Sequence, residues 1–288
     1  MNALPRIFPP FFNLKKMGYN KQELTTLWDD GQDLFKPEFA KDGPIALIDA
    51  DSLLYYEMGK STLEEAMQGI DERIINILQR CDTPNLAGFL TIGKCFRYDI
   101  AKIRPYKYNR KGGSKPIIFY ALKEYVQQRW NFKGVRGLEA DDLVSIYKTH
   151  NKNSIICSPD KDVLYQNTGK HYNYNKAEFI VTTRTQATRF LWKQVLMGDS
   201  TDGIPGLPKI GPKTADKWVK NEKIDDLPQF VLKKYIEKFG TLDGIRNFTE
   251  TFNLIYILRG HEQVQYTEAN LGKLQVFNVN DILYGQDS

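Results

Sequence analysis

Four separate segments of this chain run through apolar residues and then meet carboxylates. Ile45-Ala46-Leu47-Ile48 leads to Asp49, Ile155-Ile156-Cys157 leads to Asp160 and Asp162, and a helical pattern ending at Leu196-Met197-Gly198 leads to Asp199 and Asp202. The fourth, Gly137-Leu138-Glu139-Ala140-Asp141-Asp142-Leu143, sets three acids within four residues at a predicted helix start. Taken singly, an acidic first turn is a solvated helix feature, because free N–H groups and the helix dipole favour negative charge there. Taken together, short apolar strands that end in acid suit a mostly parallel sheet. Such strands are buried on both faces, and the C-terminal edge of the sheet is where ligands collect.

The chain in order supports an α/β reading. Residues 45–49, 86–92 and 154–157 read as strands, and 171–174 with 178–182 as a hairpin around Asn175-Lys176-Ala177. Residues 63–79, 117–130 and 139–148 have helical spacing, with Pro116 suited to a helix start. Strands alternating with helices predict a mostly parallel central sheet flanked by helices. From Arg184 the pattern is mainly helical, so the expected organisation is an N-terminal extension over 1–43, an α/β core over 44–183 and a helical part over 184–288. The extension carries a candidate amphipathic helix at 21–35 and no usable motif.

Two stretches stand apart. Lys102-Ile103-Arg104-Pro105-Tyr106-Lys107-Tyr108-Asn109-Arg110-Lys111-Gly112-Gly113 interleaves basic residues with tyrosines. That mixture neutralises phosphates and stacks on bases, or else forms a solvated loop. Gly203-Ile204-Pro205-Gly206-Leu207-Pro208-Lys209-Ile210-Gly211-Pro212-Lys213-Thr214-Ala215 runs into a helix expected over 213–219, with Pro212 suited to its first turn. Its glycines allow close backbone approach, and free N–H groups at such a start bind phosphate oxygens. A tight turn between helices with no ligand is the plainer reading.

Composition narrows the chemistry. There are 40 Lys and Arg against 35 Asp and Glu, a net charge of +5. If the eight acids Asp49, Glu139, Asp141, Asp142, Asp160, Asp162, Asp199 and Asp202 share one site, the remaining surface is strongly basic, which suits a polyanion. Eight bare carboxylates cannot crowd together, since like charges raise one another's pKa. Divalent cations resolve the conflict: Mg²⁺ takes oxygen ligands, and two such ions clamp the attacking and leaving oxygens of a phosphodiester. The three cysteines and three histidines have neither zinc spacing nor a disulfide framework, and no Walker loop occurs. A reducing cytoplasm is the default compartment, with no membrane span or signal peptide expected. The residues alone point to metal-dependent phosphodiester chemistry and leave DNA or RNA open.

Leu47-Ile48-Asp49-Ala50-Asp51, Tyr106-Lys107-Tyr108-Asn109-Arg110-Lys111, Glu139-Ala140-Asp141-Asp142, Ser158-Pro159-Asp160-Lys161-Asp162 and Gly198-Asp199-Ser200-Thr201-Asp202-Gly203 occur in this order. In motif and spacing they resemble the 5′-nuclease or flap endonuclease family, especially its bacteriophage 5′→3′ exonucleases, within the PIN-like superfamily. The resemblance implies a two-metal enzyme using Mg²⁺ or Mn²⁺. Asp49, Glu139, Asp141 and Asp142 would serve one ion, and Asp160, Asp162, Asp199 and Asp202 the other. Lys107 and Arg110 would contact the scissile phosphate, within an arch or clamp near 97–116 that includes Arg104 and Lys111. A helix–turn–helix near 191–220 would hold duplex DNA through Gly206, Lys209, Gly211, Lys213 and Thr214, with a K⁺ on its carbonyls. Tyr55 and Tyr56 would stack on a base near the cut or fill a core position. The implied partners are branched or 5′-ended DNA and RNA/DNA hybrid, met by a monomer in the cytoplasm, the host's if the chain is phage-encoded.

The sequence departs from the family at two places. Gly203 stands where an Asn is usual, and no carboxylate occurs between Asp82 and Asp99, where the family's second strand ends in acid. Asp51 and Asp99 are the candidates to stand in. The alternatives are a PIN-type ribonuclease, or a branched-DNA-binding protein weakened in catalysis by the missing acid.

Overall fold

The computed structural model describes residues 43–110 and 115–259. The expected extension before Gly43, its candidate helix and Lys111 lie outside the described residues. Strand β1 (Ile45–Asp49) is buried along its whole length. The chain then turns into helix α1 (Ala50–Glu57) and helix α2 (Leu63–Cys81). Thr62 starts α2 by accepting the Glu65 N–H at 3.1 Å, while the Glu65 carboxylate takes the Thr62 N–H at 3.2 Å. This reciprocal cap satisfies two N–H groups that a helix start leaves open. Ile70, Ile74 and Ile77 form the buried stripe of α2.

Strand β2 (Asn85–Phe89) is shorter than the run through Ile92 predicts, and Ile92–Cys95 forms a separate strand, β3. The break falls where the Phe132-Lys133 segment comes alongside. Phe132 lies so close to Gly88 that a Cβ there would meet its ring at 2.3 Å. The Leu90 N–H donates to the Lys133 carbonyl at 2.7 Å and draws the chain out of the sheet. Helices α3 (Arg97–Ile100) and α4 (Ile117–Trp130), the short strand β4 (Arg136–Gly137), helix α5 (Ala140–His150) and strand β5 (Ser154–Cys157) follow. Helix α6 (Lys161–Gln166) leads to β6 (Gly169–Asn173) and β7 (Glu178–Thr182).

The main sheet has the order β2-β1-β5-β6-β7. Its first four strands are parallel and β7 closes it antiparallel. Ala46, Ile48, Leu53, Ile70, Ile74, Phe119 and Leu122 share one apolar cluster beneath α1, α2 and α4. Helix α5 packs on β1 and β2. The fold is therefore α/β, with a mostly parallel sheet and helices.

Four longer helices occupy the rest: α7 (Arg184–Met197), α8 (Pro212–Asn221), α9 (Leu227–Phe239) and α10 (Thr241–Ile255). Between α7 and α8 the chain forms a two-stranded ribbon, β8 (Gly198–Asp199) with β9 (Ile204–Pro205). Leu191, Val195, Leu196, Val231, Leu232 and Phe248 form the core of this part. Among the described residues no helix is long and apolar enough to cross a membrane.

Candidate active site

Asp49 is the last residue of β1 and only 2% exposed. Its Oδ2 accepts from the hydroxyls of Ser52 at 2.9 Å and Ser158 at 3.0 Å. Its Oδ1 is buried with no hydrogen-bond partner. Burial, then the negative charges of Asp51 and Asp160, push its carboxyl up to about 7. Asp141, in the first turn of α5, is pushed well above the usual range by burial and by Asp49 and Asp160. Asp160 caps α6, taking the Asp162 N–H at 2.7 Å, and is raised by burial with Asp202 and Asp199 adding to it. Asp162 is pushed up to about 7, first by burial and then by Asp160; Gln194 of α7 donates to it at 2.8 Å. Asp199 takes the Thr201 N–H at 2.7 Å at the start of its loop. The acids thus gather at the C-terminal ends of β1 and β5, where the sheet topology places a ligand site.

Three acids are held by cations. Burial pushes Glu139 up, but the Arg97 and Lys107 charges outweigh it and hold the carboxyl at about 2. Lys107 donates to Glu139 at 2.6 Å and lies 3.8 Å from Asp202, and Arg110 pairs with Asp202. These two cations, expected on a phosphate, here sit on the nearest carboxylates. Asp142 needs correction as a metal ligand. It is fully buried, both its oxygens take the Arg97 guanidinium at 2.7 and 2.8 Å, and the Glu139 and Leu258 N–H groups donate to it as well. Its lone pairs are committed behind the site. Among the described residues, no three of these groups close into a ready cation cage. Mg²⁺ is not excluded by this, because it keeps several of its own waters and needs few direct protein oxygens.

Sequence reasoning missed several supports. The Tyr106 hydroxyl donates within reach of Glu139 at 3.0 Å and Asp202 at 2.9 Å, bridging the core to the ribbon. Ser158 links Asp49 to the Asp160 N–H, which donates to its hydroxyl at 3.0 Å. A Ser-x-Asp spacing carried that signal. Asp51 takes the Thr91 N–H at 3.2 Å, so its carboxylate sits at the end of β2, where the sequence has no acid. Asp99 is exposed on α3. Gly203 also has a reason: at φ +71°, a Cβ there would meet the Tyr108 ring at 2.5 Å. The basic segment is tied down by that ring, by the Lys107 N–H to the Asp202 carbonyl at 2.8 Å, and by Asn109 to the Ser200 carbonyl at 2.6 Å. Lys107 adopts φ 57°, an uncommon conformation for a side-chain-bearing residue.

Tyr55 and Tyr56 are 42% and 55% exposed, which excludes the core position for both. Tyr56 lies under Arg73 at 3.5 Å, while Tyr55 packs on Phe119 at 5.3 Å with Lys115 over its ring at 4.5 Å. Arg104 covers Tyr108 at 5.0 Å. Lys209, Gly211 and Lys213 are exposed around the start of α8, and Thr214 is half-buried. Gly206 is fixed by the ribbon itself, since a Cβ would meet the Met197 carbonyl carbon at 2.1 Å.

The raised carboxyls carry a stability consequence. Asp49 and Asp162 sit at about 7 in the fold against an ordinary 3.8, so their neutral forms favour folding and that contribution is lost as pH rises through 7. His171 acts in the opposite sense: burial pulls it from 6.5 down to about 4, and its contribution is lost as pH falls through that lower window. In EDTA, the melting temperature is therefore expected to fall between about pH 5 and 7.5, the two carboxyls outweighing the single histidine, and to level off at higher pH. A flat or rising melting curve over that interval contradicts the crowded-acid geometry.

No family model matches the chain. A 5′-3′ exonuclease of Buchnera aphidicola subsp. Schizaphis graminum is 27% identical over 279 residues, covering 83% of this chain and 88% of that protein. An exodeoxyribonuclease of Enterobacteria phage T3 is 29% identical over 154 residues, covering 48% of this chain and 47% of that protein. Among solved structures, a flap endonuclease of bacteriophage T5, in a complex with DNA and metal ions, aligns with a TM-score of 0.59 at 14% identity, over 79% of this chain and 94% of that one. At that identity the likeness is one of fold.

Proposed function

We propose, for a chain that fits the 5′-nuclease family, that it is a metal-dependent 5′→3′ exonuclease and flap endonuclease acting on 5′-ended or branched DNA. The observation that carries the reading is the unpartnered buried Oδ1 of Asp49 among acids whose charges push one another up. Such an oxygen costs free energy until a cation or donor meets it, and an all-carboxylate set favours a hard divalent ion. Asp49, Glu139, Asp141, Asp160, Asp162, Asp199 and Asp202 would hold Mg²⁺ or Mn²⁺, with Asp51 beside Asp49. When bound, two such ions supply charge neutralisation at the attacking and leaving oxygens. Lys107 and Arg110 would exchange their carboxylate partners for the scissile phosphate and stabilise charge developing there. Tyr55 offers a ring face near Arg110 for the terminal base. Lys209, Lys213 and the free N–H groups from Gly211 would take the duplex backbone, as helix starts take phosphate; Arg104 and Lys111 extend the basic surface. A K⁺ on the carbonyls of that turn, cleavage of RNA/DNA hybrid, a monomeric state and a cytoplasmic location belong to the same proposal.

Asp51 on the Thr91 N–H favours an active enzyme over a DNA-binding relic, because it returns a carboxylate to the end of β2. The test uses labelled flap DNA, nicked duplex and hairpin RNA with Mg²⁺ or with EDTA. Flap cleavage that requires metal supports the proposal. Cleavage of RNA alone points to a PIN-type ribonuclease, and tight flap binding without cleavage to a binding protein. Lys107→Ala is expected to slow flap cleavage by about 100-fold with duplex binding retained. Unchanged turnover removes Lys107 from its assigned role.

A further inference from the structure

The three cysteines are all buried and free, and two of them meet. Cys81 ends α2 and Cys157 ends β5, and although 76 positions separate them in sequence their sulfurs lie 3.6 Å apart. Cys95 stands elsewhere, at the end of β3, where burial and then the Glu139 charge push its thiol up to about 12. We propose that Cys81 and Cys157 form a reversible disulfide when the protein meets a hydroperoxide, stapling α2 to the central strand beneath the acid cluster.

The geometry is close to what the bond needs. An S–S bond of about 2.05 Å requires the sulfurs to approach by about 1.5 Å. Cys157 is held on both sides, opposite Ile48 in β1 and Tyr172 in β6. Cys81 is the freer partner, at a helix end that leaves through Asp82 at φ 52°. The chemistry is asymmetric too. The Cys157 thiol beside it draws the Cys81 thiol below its ordinary value, against burial and with help from the Lys170 charge. Burial pushes Cys157 up. Cys81 is therefore the attacking sulfur, since the thiolate is the nucleophile. Its thiolate attacks a hydrogen peroxide oxygen, the O–O bond breaks, and one water leaves after proton transfer, giving the sulfenic acid. The Cys157 sulfur then attacks the Cys81 sulfur, the S–O bond breaks, and a second water leaves. Two thiols have lost two electrons and two protons to the peroxide, and a dithiol reductant reverses the change.

The staple bears on the site through one residue. Cys157 directly precedes Ser158, whose hydroxyl serves both Asp49 and the Asp160 N–H. Cross-linking over so long a loop also restricts the unfolded chain, so the oxidised form is expected to melt about 5 °C higher.

The test treats the full-length protein with hydrogen peroxide, then denatures and alkylates it. The expected result is one alkylatable thiol, Cys95, in place of three, a mass lower by two hydrogen atoms, and a proteolytic fragment joining Cys81 to Cys157. Dithiothreitol should restore all three thiols and the original melting temperature. Cys81→Ser and Cys157→Ala should each abolish the cross-link and the rise in melting temperature. Three thiols still alkylatable, oxygen added to Cys81 without a cross-link, or a bridge to Cys95 would each overturn the proposal. These readouts do not depend on nuclease activity, so the staple and the proposed function stand or fall separately.

Discussion

Asp49→Asn is expected to lower flap cleavage by about 10²–10³-fold and, in EDTA, to raise the melting temperature. The first effect follows if Asp49 helps to hold a divalent ion worth several kcal/mol to the transition state. The second follows from the crowding around it. Above pH 7 the wild-type carboxylate is charged, 2% exposed and faced by Asp51 and Asp160. An amide keeps an oxygen for Ser52 and Ser158 and turns its NH₂ towards the neighbouring carboxylates, replacing repulsion with donation. A gain of about 5 °C at pH 8 is the expected scale. Scanning calorimetry with and without Mg²⁺ separates the roles: the ion should stabilise wild type more than the variant. A variant that loses both activity and metal-free stability would mean Asp49 is a structural acid and nothing more.

Arg97→Met is expected to cost about 3–5 kcal/mol of stability, because it strands a buried carboxylate. The guanidinium spends its donors on Asp142, Glu139 and the carbonyls of Leu254 and Tyr256, the last two at 3.0 and 2.9 Å. It therefore joins α3, the start of α5 and the end of α10. Adding Asp142→Leu to Arg97→Met should recover only part of the loss. The unpaired charge is gone, but the Glu139 and Leu258 N–H groups lose their acceptor, at about 1 kcal/mol or more each. Urea titration of the three proteins measures both steps. A loss below about 1 kcal/mol for the single variant would contradict a desolvated pair.

Much of this architecture was legible in the sequence because it follows from local rules. The apolar run from Ile45 to Asp49, the Pro116 start of α4 and the turn at Asn175-Lys176-Ala177 each carry their structure within a few residues. The division of the run ending at Ile92 was not legible, since it falls where the Leu90 N–H turns to the Lys133 carbonyl, more than forty positions away. The site divides along the same line. Motif spacing singled out the acids, but it could not tell Asp142, committed to Arg97, from its neighbour Asp141. Nor could it show that Asp51 reaches Thr91, a contact made only once β1 and β2 lie side by side. Arg97 itself carries no motif. Its partners near residues 254 to 256 lie more than 150 positions along the chain.

The contacts of Lys107 and Arg110 with Glu139 and Asp202 set up a thermodynamic linkage. Each basic side chain that moves to a phosphodiester releases a carboxylate, and each carboxylate that turns to a divalent ion releases a base. Under the proposed function the two ligands must therefore raise one another's affinity by the same factor, whichever arrives first. Calcium titrations with and without a flap duplex would read that factor from either side.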